Sequence, residues 1–302
     1  MMTLRRLAWT AAAAAYGAIV LGSWTRINGA GLTCPGWPLC HGKLIPTFTG
    51  GTLWEWAHRL LAISLAPVVA AAIAAAWAQR DRSPAIAPAT FSAGMLFVVQ
   101  VLLGAATVRL DNSPLSVVLH WGTAMALLAN LVALGIFARD SGDRTASSSL
   151  GRTRGLLSLL VLTCGVAFVT MCVGAYVSSS GAGLACLTLP GCAGSVLVAA
   201  PGQLVQMAHR LLAAATLLCS VAAFAWSWSA PASRHVRTAT SIGLALVFTQ
   251  VLLGLLNVAL RLPVDIREAH AANAALLFIV YIAAATYAAL DDSASAEAPH
   301  RA

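Results

Sequence analysis

The sequence predicts an all-α polytopic membrane protein, with eight transmembrane helices in two tandem, pseudo-symmetric four-helix bundles. Three observations predict this fold: the composition, the number of long apolar runs and an internal repeat. Of 302 residues, 59% are hydrophobic and only 9% are charged, and the mean hydropathy is +0.82. Soluble domains usually contain about 25% charged residues. The composition therefore excludes a soluble domain of any size.

Eight apolar runs are long enough to cross a membrane, for which about 20 residues are needed. They lie at 6–25, 56–78, 88–108, 116–138, 155–177, 206–229, 238–260 and 269–290. The breaks between them are short, apart from those at 26–55, 139–154 and 178–205. We therefore expect eight helices with three longer connections.

The net charge of +8 comes almost wholly from arginine, and its distribution predicts an orientation in the membrane rather than nucleic-acid binding. Eleven of the 18 basic residues fall on the side of the two termini and the break at 139–154. Cytoplasmic loops carry the excess of basic residues in membrane proteins. We therefore expect both termini to be cytoplasmic and the breaks at 26–55 and 178–205 to face outward.

The sequence repeats itself at a nearly constant offset. The repeated strings are AHRLLA at 57–62 and 208–213, GAGL at 29–32 and 181–184, and QVLLG at 100–104 and 250–254. The offset drifts only from 152 to 150 residues, which indicates a duplication. Each half contains four helices, an even number, so both halves enter the membrane in the same direction, related by a pseudo-two-fold axis along the membrane normal.

This repeat predicts four segments. They are an N-terminal bundle at 1–140, a cytoplasmic linker at 141–154, a C-terminal bundle at 155–292 and a disordered cytoplasmic tail at 293–302.

Four histidines stand at matching places in the two halves. His58 and His120 lie near the outer ends of the second and fourth helices, and His209 and His270 occupy the equivalent places. Two imidazoles at one depth on neighbouring helices can ligate one iron from opposite faces. The alternative for each is an interfacial histidine that bonds a loop. Four in register favour paired haem ligands, because ionisable groups inside membrane segments are rare and usually functional.

An arginine follows the first histidine of each pair, as Arg59 and Arg210. A haem near the outer surface needs cations for its carboxylates, and these arginines are candidates. The alternative is that each snorkels from a helix end to the membrane surface. The sequence leaves both interpretations open.

Four of the seven cysteines form two pairs in the outward-facing breaks, Cys34 with Cys40 and Cys186 with Cys192. Outside the cytoplasm such pairs form disulfides. A bond that only staples the loop is the simpler interpretation. A redox-active bond is the alternative, and it stays open for Cys34 and Cys40.

The two halves differ close to the first histidine of each pair. Glu55 stands three residues before His58, whereas Gln206 stands three residues before His209. An acid beside a haem can transfer protons or stabilise a developing cation. The alternative is a helix N-terminal acid favoured by the helix dipole. The asymmetry favours a catalytic Glu55, a reaction site in the first half and a resident cofactor in the second.

These motifs resemble a known family. The stretch RINGAGLTCPGWPLCHGKLIP at 26–46, followed by EWAHR at 55–59, closely resembles the first outer loop and second helix of the haem A synthase family. The similarity covers nearly the whole chain, including the duplication, both cysteine pairs and all four histidines. It implies an oxidoreductase of cytochrome oxidase assembly, which converts the C8 methyl of haem O to the formyl group of haem A by successive hydroxylations and loss of water.

The resemblance also implies site roles. His209 and His270 would hold a resident haem b, His58 and His120 would flank the substrate haem, and Glu55 matches the family's essential acid. Cys34 and Cys40 match its first cysteine pair.

Partners and location are implied in the same way. The resemblance implies haem O, membrane lipid, haem O synthase and cytochrome oxidase assembly factors as partners. The sequence has no long N-terminal extension of the mitochondrial kind, so we expect a bacterial plasma membrane.

Two other functions fit part of the pattern. A di-haem b electron-transfer protein of the quinol-oxidising kind would explain four histidines, but not why one half alone carries Glu55 and Arg26. A haem-delivery protein without turnover is the third candidate.

Overall fold

The computed structural model describes residues 2–138, 154–192, 194–229 and 231–297. Within these ranges the chain forms eight α-helices and no β-strand. The helices are α1 (Met2–Ile27), α2 (Thr52–Trp77), α3 (Ile86–Arg109), α4 (Pro114–Phe137), α5 (Arg154–Ser179), α6 (Pro201–Ser229), α7 (Arg234–Ala259) and α8 (Val264–Glu297). All eight are long and apolar enough to cross a membrane. The predicted all-α fold with eight spanning helices is confirmed.

Five helices begin four or five residues earlier than the apolar runs predicted. They are α1, α2, α6, α7 and α8, for which the predicted starts were 6, 56, 206, 238 and 269. Polar residues such as Glu55 and Glu268 therefore belong to helices. α8 also continues to Glu297, seven residues past its predicted end.

The predicted linker and tail lie largely outside the described residues. In the linker only Arg154 is described, as the first residue of α5. Residues 293–297 of the predicted tail belong to α8, and 298–302 lie outside the described residues. The domain boundaries therefore stay predictions.

Each half forms a closed ring of four helices. α1 packs against α2 and α4, and α3 packs against the same two helices. α5, α6, α7 and α8 repeat this arrangement. The two rings meet where α1 contacts α8 and where α4 contacts α5 and α8. Fully buried leucines of α4, such as Leu128 and Leu131, lie in the main hydrophobic core, which both rings share.

Polar contacts also join the rings. The guanidinium of Arg26, at the end of α1, donates to Ser178 Oγ near the end of α5 over 3.0 Å. The Tyr16 hydroxyl donates to the backbone carbonyl of Ala272 in α8 over 3.4 Å. Because α1 and α5 end side by side, the loops that follow them, 28–51 and 180–200, lie at one end of the molecule. We call this end the loop face.

The outward surfaces of the helices are apolar. Phe91, Leu102 and Leu218 are 68%, 63% and 69% exposed. Apolar surface on this scale would be unfavourable in water, whereas lipid solvates it. The chain is a multi-pass membrane protein.

Candidate functional site

The second bundle brings its two predicted haem ligands together. The ring centres of His209 on α6 and His270 on α8 lie 6.4 Å apart. Two imidazoles with an iron about 2 Å from each coordinating nitrogen have ring centres roughly 6–6.5 Å apart. The separation therefore fits a single iron held between the two rings.

The hydrogen bond of His209 also suits a metal ligand. Its Nδ1 lies 3.1 Å from the backbone carbonyl of Thr170 on α5. A carbonyl only accepts, so Nδ1 carries the proton and Nε2 keeps a free lone pair. Such a bond fixes both the tautomer and the ring orientation of a ligating histidine. The buried Nδ1 of His270 has no hydrogen-bond partner among the described residues.

The first bundle places His58 on α2 and His120 on α4. The Gln100 amide lies beside the His120 ring, with its Nε2 3.1 Å from Nδ1, while its Oε1 is buried without a partner. The amide group can turn over in place, which exchanges its oxygen and its nitrogen. With the amide reversed, Oε1 can accept from Nδ1–H of His120, although the same amide atom also lies 3.4 Å from Nε2.

The second bundle treats the equivalent glutamine differently. Gln250 donates to the backbone carbonyl of His270 over 3.0 Å and accepts from Asn273 over 2.7 Å. The first half has Thr123 where the second has Asn273. Gln100 is therefore free to contact the histidine ring of its own half, whereas Gln250 is held on the helix backbone.

A glycine lies against every one of the four histidine rings. A Cβ added at Gly22 would stand 2.6 Å from Cε1 of His58, and one at Gly174 would stand 2.8 Å from Cε1 of His209. Gly104 and Gly254 lie in the same way against His120 and His270, at 3.2 and 3.4 Å. The glycines occupy α1, α3, α5 and α7, so each histidine helix faces a neighbour with a gap in its surface.

Sequence reasoning missed these glycines, although the signal was present. Gly22 and Gly174 recur at the offset of 152, and Gly104 and Gly254 close the repeated QVLLG string. Their role became visible only when the packing placed them opposite the rings.

We expect Gly174→Ala to weaken binding of a haem in the second bundle by about tenfold or more, because overpacking of this kind costs roughly 1–3 kcal/mol. The new methyl would collide with the His209 ring. The measurement is haem b bound per protein during haem titration.

Gly165→Ala is the matched control, because it lies on the same helix and a Cβ there meets nothing within 4 Å. Equal haem affinity in the two variants would contradict the role assigned to Gly174.

Both loops contain the predicted disulfide. Cys34 is bonded to Cys40 and Cys186 to Cys192, with Cα–Cα distances of 4.6 and 4.7 Å. In each loop the second cysteine forms a small backbone bridge, Cys40 with Lys43 and Cys192 with Ser195. The two loops therefore share one compact design.

Arg59 holds the first loop to α2. Its Nη1 donates to the carbonyls of Gly36 and Leu39 over 2.7 and 2.9 Å. Its Nη2 donates to the carbonyl of Cys34 over 2.7 Å and to Glu55 Oε1 over 2.6 Å. Four of the five guanidinium donors are therefore used within the loop and helix.

Arg210 holds the second loop in the same way. Its Nη1 donates to the carbonyls of Thr188, Pro190 and Gly191, and its Nη2 donates to that of Cys186 over 2.8 Å. The predicted contact of Arg59 and Arg210 with haem carboxylates stays a prediction. Only Nε–H of Arg59 is left for it, whereas Arg210 keeps Nε–H and one Nη2–H. The first histidine of each pair is thus followed directly by the residue that fixes the loop above it.

Glu55 also belongs to this loop contact. It is 4% exposed, and its Oε2 accepts from Thr33 Oγ1 over 3.1 Å and from the backbone N–H of Cys34 over 2.8 Å. Gln206 accepts from the backbone N–H of Cys186 over 2.6 Å. Both side chains therefore accept from the backbone N–H of the first cysteine of the loop. They differ in their second contact, because Glu55 pairs with Arg59 whereas Gln206 donates to the Gly183 carbonyl over 2.8 Å.

Comparison with known proteins places the chain in a family. Residues 5–50 and 47–282 match the COX15-CtaA family, described as cytochrome oxidase assembly protein. The chain is 31% identical to the haem A synthase of Geobacillus kaustophilus over 296 residues, which covers 91% of this chain and 89% of that protein. It is 29% identical to the haem A synthase of Bacillus licheniformis over 275 residues, covering 86% and 87%. With most of its length matched on both counts, the chain belongs to the COX15-CtaA family of cytochrome oxidase assembly proteins.

Proposed function

We propose that this chain is a haem A synthase, an oxidoreductase that converts the C8 methyl group of haem O to a formyl group. The observation that carries the proposal is the asymmetry between two otherwise matching histidine sites. One site has a buried carboxylate, Glu55, one helical turn from its histidine, and the other has the uncharged Gln206. An electron carrier with two equivalent haems has no use for this difference, whereas an enzyme with one reaction site does.

The second bundle holds a resident haem b in this proposal. His209 and His270 would hold it, supported by the 6.4 Å between their ring centres and by the bond from His209 to Thr170. Bound there, haem b supplies a one-electron redox centre. The task of the chain is to hold both rings in place, and the glycines opposite them leave room for this.

The first bundle receives haem O as substrate, and His58 and His120 would hold it there. Gln100 orients the His120 ring through Nδ1, as its position beside that nitrogen supports. Glu55 lies at the loop face of the same helix as His58. A carboxylate there can accept a proton from the water that attacks the oxidised methyl carbon, or stabilise the positive charge that develops on it.

Arg59 is a positioning residue in this scheme. It pairs with Glu55 at 2.6 Å and holds the loop that carries the Cys34–Cys40 disulfide. The loop, the carboxylate and the histidine are thereby fixed to one another. This arrangement keeps Glu55 at one place relative to a haem between His58 and His120.

The positive-inside rule supports an orientation with the loop face outward and both termini in the cytoplasm of a bacterium. Haem O, being apolar, reaches the first bundle through the plasma membrane. A haem O synthase supplies it, and cytochrome oxidase assembly factors receive the product. The first bundle, which contains Glu55, therefore works near the outer surface of the plasma membrane.

The test is to express the chain with a haem O synthase in a host that makes no haem A, and to extract the haem. We expect a haem whose mass is that of haem O with the C8 methyl converted to a formyl group. Recovery of haem b and unchanged haem O, from protein with both sites folded, would instead support an electron carrier or a haem-delivery protein.

A further inference from the structure

A groove outside both histidine sites has an unusual chemistry. It has a volume of about 340 Å³ and lies on α1, where α2 and α8 approach it. Tyr16, Gly17 and Trp24 of α1 form one wall, and Trp54 of α2 and Glu268 of α8 complete it. The Trp24 and Trp54 rings meet edge to face, with ring centres 5.9 Å apart. The groove is open and apolar, so a molecule dissolved in the membrane can reach it.

Two buried polar groups at this groove have atoms outside hydrogen-bond geometry with any described residue. Glu268 is 8% exposed, and neither of its carboxylate oxygens makes a hydrogen bond within the part of the chain that the structure describes. The buried Nε1–H of Trp24 has no acceptor either. Ser23 and Arg26 are the polar neighbours of the carboxylate within the chain, and the Arg26 guanidinium also donates to Ser178 Oγ. A buried polar group without a partner costs roughly 1–3 kcal/mol or more, so the pair indicates a ligand.

The duplication provides an internal control for this groove. The residues equivalent to Gly17, Trp24 and Glu268 are Val169, Tyr176 and Val118. The equivalent face of α5 and α4 therefore has no carboxyl group and carries a branched side chain where α1 has a glycine. The space and the polar pair occur together, on one side of the molecule only, as a ligand site would require.

We propose that this groove binds the head group of a membrane-dissolved quinone, which takes up the electrons released by methyl oxidation. A quinone has a flat ring that suits the two tryptophans, and a carbonyl that can accept from Trp24 Nε1–H. Its reduced form has a hydroxyl that can donate to Glu268. A phospholipid head group fits poorly, because its phosphate would face the Glu268 carboxyl group.

This inference rests on the proposed function, and the reaction balances with a quinone as oxidant. The first hydroxylation combines the methyl group, one water and one quinone to give the alcohol and one quinol. The two electrons and two protons removed from methyl and water equal those that the quinone takes up. A second round gives the geminal diol, which loses water to form the aldehyde.

The position of the groove suits electron transfer from the second bundle. Glu268 is two residues from His270 on α8. Positions two apart on a helix point to nearly opposite sides, so the groove and the proposed haem b site lie on opposite faces of one helix. A helix with its side chains is about 10 Å thick, so the quinone site lies next to the resident redox centre.

The test is photolabelling of the haem-loaded protein in nanodiscs with an azido-substituted benzoquinone, mapped by mass spectrometry. We expect labelled peptides that contain Trp24 or Trp54, and competition by decylubiquinone. Gly17→Val fills the groove with the side chain that occurs at the equivalent position, Val169. Labelling should therefore be lost while haem b absorbance is unchanged. Glu268→Gln should weaken competition by the reduced form, decylubiquinol, about threefold to tenfold, because the acceptor for its hydroxyl is altered.

Val169→Ala, on the equivalent face of α5, is the matched control and should label like the unmodified protein. Labelling that is insensitive to Gly17→Val, or that maps elsewhere, would overturn the proposal. Failure of the two proposals is distinguishable. Groove labelling without haem A formation would support the quinone site and contradict the enzyme, whereas haem A formation with labelling elsewhere would do the reverse.

Discussion

Glu55→Gln is expected to reduce haem A formation by about 10²–10⁴-fold, the usual contribution of a positioned proton acceptor. The loop contact should survive, because Gln206 makes the equivalent bond to the backbone N–H of Cys186 with an amide. Arg59 keeps its three carbonyl acceptors in the variant. Haem O or a partly oxidised alcohol should accumulate, as measured by extraction and mass spectrometry.

The control is the reciprocal change, Gln206→Glu, which should leave activity largely unchanged. Arg210 follows four residues later and can pair with the new carboxylate as Arg59 pairs with Glu55. Haem content must be measured for both variants, so that loss of activity is separated from loss of haem. Haem A made by Glu55→Gln at the normal rate would reduce Glu55 to a structural partner of the loop.

His209→Ala and His270→Ala are each expected to remove most of the haem b absorbance from purified protein. Each change deletes one of the two rings whose separation fits a single iron. The remaining histidine cannot hold a six-coordinate iron alone, so the reduced spectrum should lose its bis-histidine bands. Haem bound per protein gives the second readout.

His58→Ala and His120→Ala serve as the comparison, and should retain resident haem b while losing haem A formation. If His58→Ala abolishes the absorbance and His209→Ala leaves it intact, the assignment of the two bundles is reversed.

The fold was predictable because hydropathy and the repeat report the same architecture. The first residues of the helices were harder to predict. Glu55 and Glu268 are polar and fall outside the apolar runs, yet both are helical. Glu55 is held there by Thr33 and Cys34, which come from a loop whose shape hydropathy does not describe. Runs of apolar residues therefore cannot locate a helix boundary that is set by contacts with a loop.

The site was predictable as far as the residue types were informative. Histidine pairs are rare in membrane segments, and cysteine pairs are rare in outward-facing loops. Both could therefore be recognised from the sequence. The arginines were identified without their partners, since the carbonyls that Arg59 and Arg210 contact come from the folded backbone of each loop. Backbone acceptors have no signature in a sequence.

Glu268 was missed for a different reason. Its signal was present, since it is an acid in a membrane segment whose counterpart, Val118, is apolar. It was overlooked because the predicted start of the last helix at 269 placed it in a loop. Only the packing of α8 against α1 shows that the carboxyl group is buried.

The contacts between the bundles carry a consequence for the origin of the chain. α1 contacts α8, and α5 contacts α4. Since α5 repeats α1 and α8 repeats α4, this is one contact made twice, as in an isologous homodimer. Tyr16 against Ala272 is matched by Phe168 against Gly122, where a Cβ would stand 3.5 Å from the phenylalanine ring. The chain thus corresponds to a homodimer whose subunits have been fused. A symmetric dimer must carry Glu55 and Glu268 twice, whereas the fused chain carries each of them once.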